Sequence, residues 1–223
     1  MLCDIMKFNL MRFMSHDFAQ CKNFITIKRR EYAEMIRFVK ESDAQDILNI
    51  YAPYITDNAV SFDMEVPTLE EFTELIRNIS KEYPYLVFTC GDEVAGFAYA
   101  HRQMARAAYQ WNAELSVYIA TPHQRKGFGR ALYRALIDIL RLQNVRNVYG
   151  GVTVPNNGSF ALHEGLGFEK VGIYHNTGFK CGTWQDVAWF EKGIAPYDTD
   201  PAPFKPLPEI NRAQITEILG RYR

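Results

Sequence analysis

Gln124-Arg125-Lys126-Gly127-Phe128-Gly129 is the stretch whose residue types and spacing could hold an anion. It follows a strand-like alternation in which Trp111, Ala113, Leu115, Val117 and Ile119 interleave with Asn112, Glu114, Ser116 and Tyr118. Thr121-Pro122-His123 breaks that strand, and a helical pattern then places Phe128, Leu132, Leu136, Ile139 and Leu140 on one face. A strand that enters a helix through a Gly-rich, basic turn makes a cradle for phosphate. The glycines let a ligand approach the backbone, and the free N–H groups of the first helical turn point at it. The helix dipole, with Arg125 and Lys126, favours negative charge there. The nucleotide loop Gly-Lys-Ser/Thr is absent, and Leu132 stands where the third glycine of G-x-G-x-x-G belongs. What the residues do form is Q-x-x-G-x-G, from Gln124, Gly127 and Gly129.

The elements that must position this turn come from a chain of 223 residues, 48% hydrophobic, with a formal charge of −1. That composition is ample for a packed core and argues against nucleic-acid or anionic-membrane partners. Cys3, Cys21, Cys90 and Cys181 are scattered without metal-ligand spacing and read as reduced thiols of a cytoplasmic protein. The five histidines show no ligand-like pairing, so no metal is expected. No apolar run reaches the roughly 18 residues that span a membrane. Asp4, Lys7 and Arg12 interrupt the apolar N-terminus, which makes a poor signal peptide.

Three regions are expected: residues 1–34, either an N-terminal arm or an upstream start; a domain over 35–193; and a Pro-rich tail over 194–223 with a short helix around Arg212–Gly220. Within the domain, Ile36 to Lys40 reads as a strand, and Ser42-x-x-Gln45 caps a helix bearing Ile47, Ile50, Tyr51 and Tyr54. Thr68-x-x-Glu71 caps a second, with Phe72, Leu75, Ile76 and Ile79. Strands Tyr85–Cys90 and Val94–His101 follow as a hairpin. After the central strand and helix come a buried strand Val145–Val154, a helix Asn157–Gly165, and strands Lys170–Tyr174 and Val187–Lys192. Hairpins that meet through a crossover helix make the class mixed α/β.

A second pattern sits one strand beyond the Gly-rich turn. It runs Asn156-Asn157-Gly158-Ser159-Phe160-Ala161-Leu162-His163-Glu164-Gly165-Leu166-Gly167-Phe168. Together with Q-x-x-G-x-G, it resembles the GNAT (GCN5-related) N-acetyltransferases. Tyr109 to Glu114, Pro155-Asn156-Asn157, Leu162-His163-Glu164, the Gly178 to Val187 segment, and Ala59 to Phe62 with Glu65 and Pro67 resemble the phosphinothricin N-acetyltransferase branch, over Ile36 to Lys192. The resemblance implies an α+β fold with a mostly antiparallel sheet, splayed between its fourth and fifth strands and flanked by helices. It implies acetyl-CoA as co-substrate, a small amine acceptor such as phosphinothricin or methionine sulfoximine, and a homodimer.

An amine attacking a thioester must first lose a proton, since an alkylammonium has a pKa of about 10. The resemblance puts the general base at Glu114, among apolar neighbours where partial burial raises its basicity. The same resemblance places His163 in a slot for protonating the thiolate or orienting substrate. The resemblance also implies an oxyanion donor in a backbone N–H near the end of the central strand, so Val117 and Ile119 are expected to meet the cofactor through their backbone. Gln124, Arg125, Lys126, Gly127, Phe128 and Gly129 take the pyrophosphate, while Arg130 is either a further contact or a surface cation. Asn156, with Ser159, is the expected pantetheine or amide partner. Arg106 and Lys180 suit an acceptor carboxylate, and Phe62 and Glu65 could close over its amine. Gln103 and Met104 stand where relatives often carry Trp and a cation, so one wall of the acceptor pocket is altered. Two alternatives stay open: another acceptor (a different small amine, an aminoglycoside or a protein amine), or a non-catalytic acyl-CoA-binding module.

Overall fold

The computed structural model describes residues 34–222; the N-terminal region expected over 1–34 lies, save for Glu34, outside them. Seven strands form one sheet: β1 Glu34–Phe38, β2 Tyr85–Cys90, β3 Glu93–Arg102, β4 Asn112–Ile119, β5 Asn147–Val154, β6 Glu169–Lys180 and β7 Thr183–Gly193, in the order β1-β2-β3-β4-β5-β7-β6. Every pairing is antiparallel except β4 with β5. Parallel neighbours need a crossover, and helix α3, Phe128–Leu142, supplies it.

The core has two layers, one on each face of the sheet. On one side α3 buries Leu132, Leu136, Ile139 and Leu140 against Leu86, Phe88 and Leu115. On the other, α1 (Ala44–Thr56) and α2 (Leu69–Ser80) bury Ile47, Tyr51, Phe72 and Ile76 against Tyr85, Val87 and Phe97. The chain beyond β7 shares the first layer. Its helix α5, Arg212–Arg221, buries Ile215 and Ile218 there.

The sheet splays where expected. β4 and β5 pair only over Asn112↔Asn147, Ala113↔Val148 and Glu114↔Tyr149, and then diverge.

Thr68 and Glu71 cap α2 reciprocally, as their spacing predicts. Ser42 does not cap α1. Asp43 stands at the N-cap position but caps no N–H of α1; its carboxylate accepts the Lys40 N–H at 2.7 Å and pairs with Arg37 at 2.7 Å, closing the short turn before the helix. Leu75, expected on the buried face of α2, is 44% exposed. The first strand begins two residues early, β5 begins only at Asn147 with Gly151 exposed, and β6 and β7 extend into a long hairpin. Most of the hairpin's outer part is exposed, although Lys180 at its end is buried, and it carries no regular alternation for sequence to show.

Candidate functional site

The Gly-rich turn is built as a cradle. Gly127 adopts φ +91° as the N-terminal flank of α3, a conformation that favours glycine, and no side chain caps the helix there. The first N–H groups of α3 are therefore free. Arg125 (φ 59°) and Lys126 are exposed beside them. Phe128 is buried against Phe88, with ring centroids 4.0 Å apart, so it contributes to the cradle through its backbone. A Cβ at Gly129 would meet only Val117, Ile119 and Leu162, at 3.7–3.8 Å. Arg130 is turned away: its Nη2 lies where a Cβ on Gly165 would be 2.6 Å from it.

Gln124 is exposed, but its amide is tied down. Its Nε2 donates to the Tyr54 hydroxyl at 2.9 Å and to the Ile119 carbonyl at 3.3 Å, and Tyr54 itself donates to Ile119 O at 2.6 Å. Helix α1, the turn and the end of β4 are thereby tied at one point. Sequence reading had Tyr54 as a helix-face aromatic only.

The splay leaves a strand edge open. The Ala100 N–H donates to Pro84 O, which turns Ala100 towards β2. Antiparallel alternation then turns the N–H and C=O of Leu115, Val117 and Ile119 away from β3, towards β5. The last bridge, Glu114↔Tyr149, spends the Leu115 N–H on β5; beyond it the Leu115 carbonyl and the groups of Val117 and Ile119 have no strand partner. The Leu115 carbonyl accepts from the Tyr133 hydroxyl at 3.2 Å, and Ile119 O is taken as above. Val117 keeps a free N–H and C=O on this edge, which fits an extended ligand with amides of its own.

Glu114 faces the opposite layer from Leu115, level with His101 on β3 and Tyr149 on β5. Burial raises its carboxyl pKa, and the charge of His101 opposes the rise. Tyr99, on the same face, is within electrostatic reach of both Glu114 and Asp63.

His163 lies on the other layer, on helix α4 (Asn157–Gly165), and is 2% exposed. Its ring stacks on Phe190 at 5.0 Å and meets Tyr133 and Phe168 edge-on. Burial lowers its pKa, with the hydrogen bond to Ser159 opposing. The partner of Nδ1, at 2.8 Å, is the Ser159 carbonyl, so Nδ1 carries the proton and Nε2 keeps a lone pair without a partner. A neutral ring in this tautomer has no proton to give at Nε2. Of the two roles expected for His163, protonating the thiolate or orienting substrate, a neutral ring in this tautomer suits the second. Asn156 spends its Oδ1 on capping α4 through the Ser159 N–H at 3.0 Å, leaving only its amide N–H groups for a ligand.

The acceptor-side residues are only partly brought together. Lys180 is buried, and its ammonium donates to Ser61 O at 2.6 Å and Asp63 O at 2.7 Å. It therefore anchors the 57–67 loop and is not available to an acceptor carboxylate, contrary to expectation. Tyr51 finishes the anchoring, bonding Ser61 Oγ and Asp63 Oδ2 at 2.7 Å each. Phe62 lies over Gly178, where a Cβ would be 2.5 Å from its ring. Glu65 and Arg106 are exposed, and among the described residues neither has a side-chain partner. No group of three or more potential metal ligands occurs among the described residues, and none of their helices is long and apolar enough to cross a membrane.

Comparison with known proteins agrees with this arrangement. A family model described as "Acetyltransferase (GNAT) domain" matches residues 36–189. A phosphinothricin N-acetyltransferase of Streptomyces viridochromogenes is 33% identical over 78% of this chain and 95% of its own. An L-methionine sulfoximine/L-methionine sulfone acetyltransferase of Salmonella typhimurium is 29% identical over 70% of this chain and 92% of its own. Among solved structures, a GNAT superfamily phosphinothricin acetyltransferase from Sinorhizobium meliloti in complex with acetyl-CoA superposes with a TM-score of 0.72 at 27% identity, covering 80% of this chain and 96% of that one.

Proposed function

The chain belongs to the GNAT acetyltransferase family, and on that premise we propose that it acetylates the amine of a small amino-acid-like acceptor of the phosphinothricin or methionine sulfoximine type. Acetyl-CoA is the donor, as in this family; its thioester supplies a carbonyl that a neutral amine can attack. The uncapped start of α3 suits the pyrophosphate. The free Val117 edge suits the pantetheine amides, which would lie along β4 as an added strand does.

Glu114 carries the proposal. The amine must shed a proton before it attacks, and a carboxylate whose pKa is lifted by burial is a better-matched base near neutral pH than an exposed one. The first proton passes to Glu114 directly or through one water, the C–N bond forms, and the C–S bond breaks. The second proton, which the nitrogen sheds on becoming an amide, goes to the departing CoA thiolate, which leaves as the thiol. Backbone N–H groups near Val117 and Ile119 favour charge on the carbonyl oxygen. His163, holding a lone pair at Nε2, orients its neighbours.

Arg106, exposed and without a side-chain partner among the described residues, is a cation that an acceptor carboxylate could use, with Phe62 and Glu65 of the 57–67 loop beside the acceptor amine. A peptide or protein amine is the second reading, favoured by the commitment of Lys180 to the loop, which leaves one cation fewer for a free carboxylate. A homodimer, implied by the family resemblance, would find apolar surface in Phe179 and Trp184, 55% and 60% exposed on the β6–β7 hairpin.

The test is thiol release from acetyl-CoA against phosphinothricin, methionine sulfoximine, methionine sulfone, common amino acids, an aminoglycoside and short peptides. Release with the first three supports the proposed acceptor class. Release with peptides alone moves the acceptor to the second reading, and acetyl-CoA binding with no release at all would sink the catalytic proposal.

A further inference from the structure

The opening between β4 and β5 hinges on the three residue pairs that end at Glu114↔Tyr149. A segment beyond the matched domain, residues 197–205, grips that hinge. Trp111 is the meeting point. Its carbonyl accepts the N–H groups of Arg146 and Asn147, at 2.8 and 3.2 Å, which joins the start of β4 to the start of β5. Its indole N–H donates to Ala202 O at 2.8 Å, which joins both to the tail. A second link runs across the first pair of the hinge: Tyr197 donates to Asn147 Oδ1 at 2.5 Å, and Asn147 Nδ2 donates to Asn112 Oδ1 at 3.2 Å. Arg146 pairs with Asp198 at 2.9 Å beside it.

We propose that residues 197–205 are a clamp that sets the angle between β4 and β5, with Trp111 and Tyr197 as the positioning residues that fix the Val117 edge for acetyl-CoA. The segment's chemistry suits the task. Pro201 and Pro203 hold the backbone extended and demand no N–H partner, so carbonyls such as Ala202 O and Pro203 O can face the body, the latter taking Asn144 Nδ2 at 2.8 Å. The segment is held at both ends, by β7 and by the buried Ile210, Ile215 and Ile218. Leverage makes the hinge sensitive: Val117 lies about 17 Å along β4 from Asn112, so a rotation of about 4° moves it by about 1 Å.

The inference rests on the acetyl-CoA site proposed above but not on the acceptor, so its test omits the acceptor. Acetyl-CoA affinity is measured by calorimetry in the wild type, Trp111→Phe with Tyr197→Phe, and Ile76→Ala, with melting temperatures alongside. The double variant, losing two hydrogen bonds at the hinge, should bind acetyl-CoA about fivefold or more weakly. Ile76→Ala, which hollows the core layer on the other face of the sheet, should melt at least as early yet bind as the wild type does. Once an acceptor is known, the double variant should show a raised KM for acetyl-CoA at unchanged kcat. Wild-type affinity in the double variant, or equal weakening in Ile76→Ala, would overturn the clamp. Asp198→Asn, at the half-exposed ion pair, gives a milder variant with the same expected direction if the double variant fails to fold. A wild type that does not bind acetyl-CoA would instead overturn the site itself, and the clamp with it.

Discussion

The imidazole of His163 lies over the backbone of Gly150: a methyl group at 150 would sit 2.4 Å from Nε2. Only glycine lets the α4 ring reach β5, because Phe190, Tyr133 and Phe168 hem it in on its other sides. Gly150→Ala must push the ring out of that box or bend the strand. Overpacking of this kind costs about 1–3 kcal/mol, read as a lowered denaturation midpoint. A variant as stable as the wild type would show that the ring has room to move, and that its buried lone pair is not held in place.

Glu114 yields a prediction with opposite signs for stability and activity. Because burial raises its pKa, the folded protein holds that proton more tightly than the unfolded chain does. The stability this group contributes is then present below the unfolded pKa and is lost as pH rises through the folded one. At neutral pH the buried carboxylate is a net cost. Glu114→Gln should therefore melt higher than the wild type at pH 7, with the gap closing towards about pH 4. Its rate should fall by about 10²–10⁴ while acetyl-CoA binding holds. The acid limb of the wild-type pH–rate profile should lie above the ordinary carboxylate range and vanish in the variant. Unchanged turnover would remove Glu114 from the proton transfer.

How much of this was legible in the sequence depended on whether the signal was local. The buried face of α3 and the reciprocal cap of Thr68 and Glu71 are written within a few residues, and both appear as read. The span Asn157–Gly165 also appears as read, its start marked by the Asn156 cap. The environment of His163 was not legible, because Tyr133 and Phe190 reach it from distant segments. Lys180 misled for the same reason. A lysine beside a pocket motif suggests an anionic ligand, yet its partners are backbone carbonyls more than a hundred residues away, and carbonyls leave no mark in side-chain chemistry.

Lys180 can be tested against that structural account. Lys180→Met keeps the length of the side chain but strands the carbonyls of Ser61 and Asp63, and should cost about 1.5–3 kcal/mol. With the 57–67 loop released, Phe62 loses its seat on Gly178, so the KM for the acceptor should rise while acetyl-CoA affinity stays put. A stable variant with poor acceptor binding would instead return Lys180 to the role of a direct carboxylate ligand.

Tyr54 is the residue that joins the two halves of the site. Its hydroxyl accepts from Gln124 and donates to Ile119 O, so the first residue of the Gly-rich turn is oriented by a helix on the acceptor-side layer. Tyr54→Phe keeps the ring, edge-on to Tyr118 at 5.1 Å, and deletes only the bridge. Gln124 then keeps a single long bond to Ile119, at 3.3 Å, and the turn loosens. Of the two hydrogen bonds lost, the one from Gln124 holds the turn, and one neutral hydrogen bond is worth about 1 kcal/mol, which predicts acetyl-CoA binding about fivefold weaker with the fold intact. Adding Gln124→Ala to Tyr54→Phe should weaken binding little further, because both changes cut the same link. Full additivity in that double-mutant cycle would mean that Gln124 meets the cofactor on its own and that Tyr54 serves only the packing of α1.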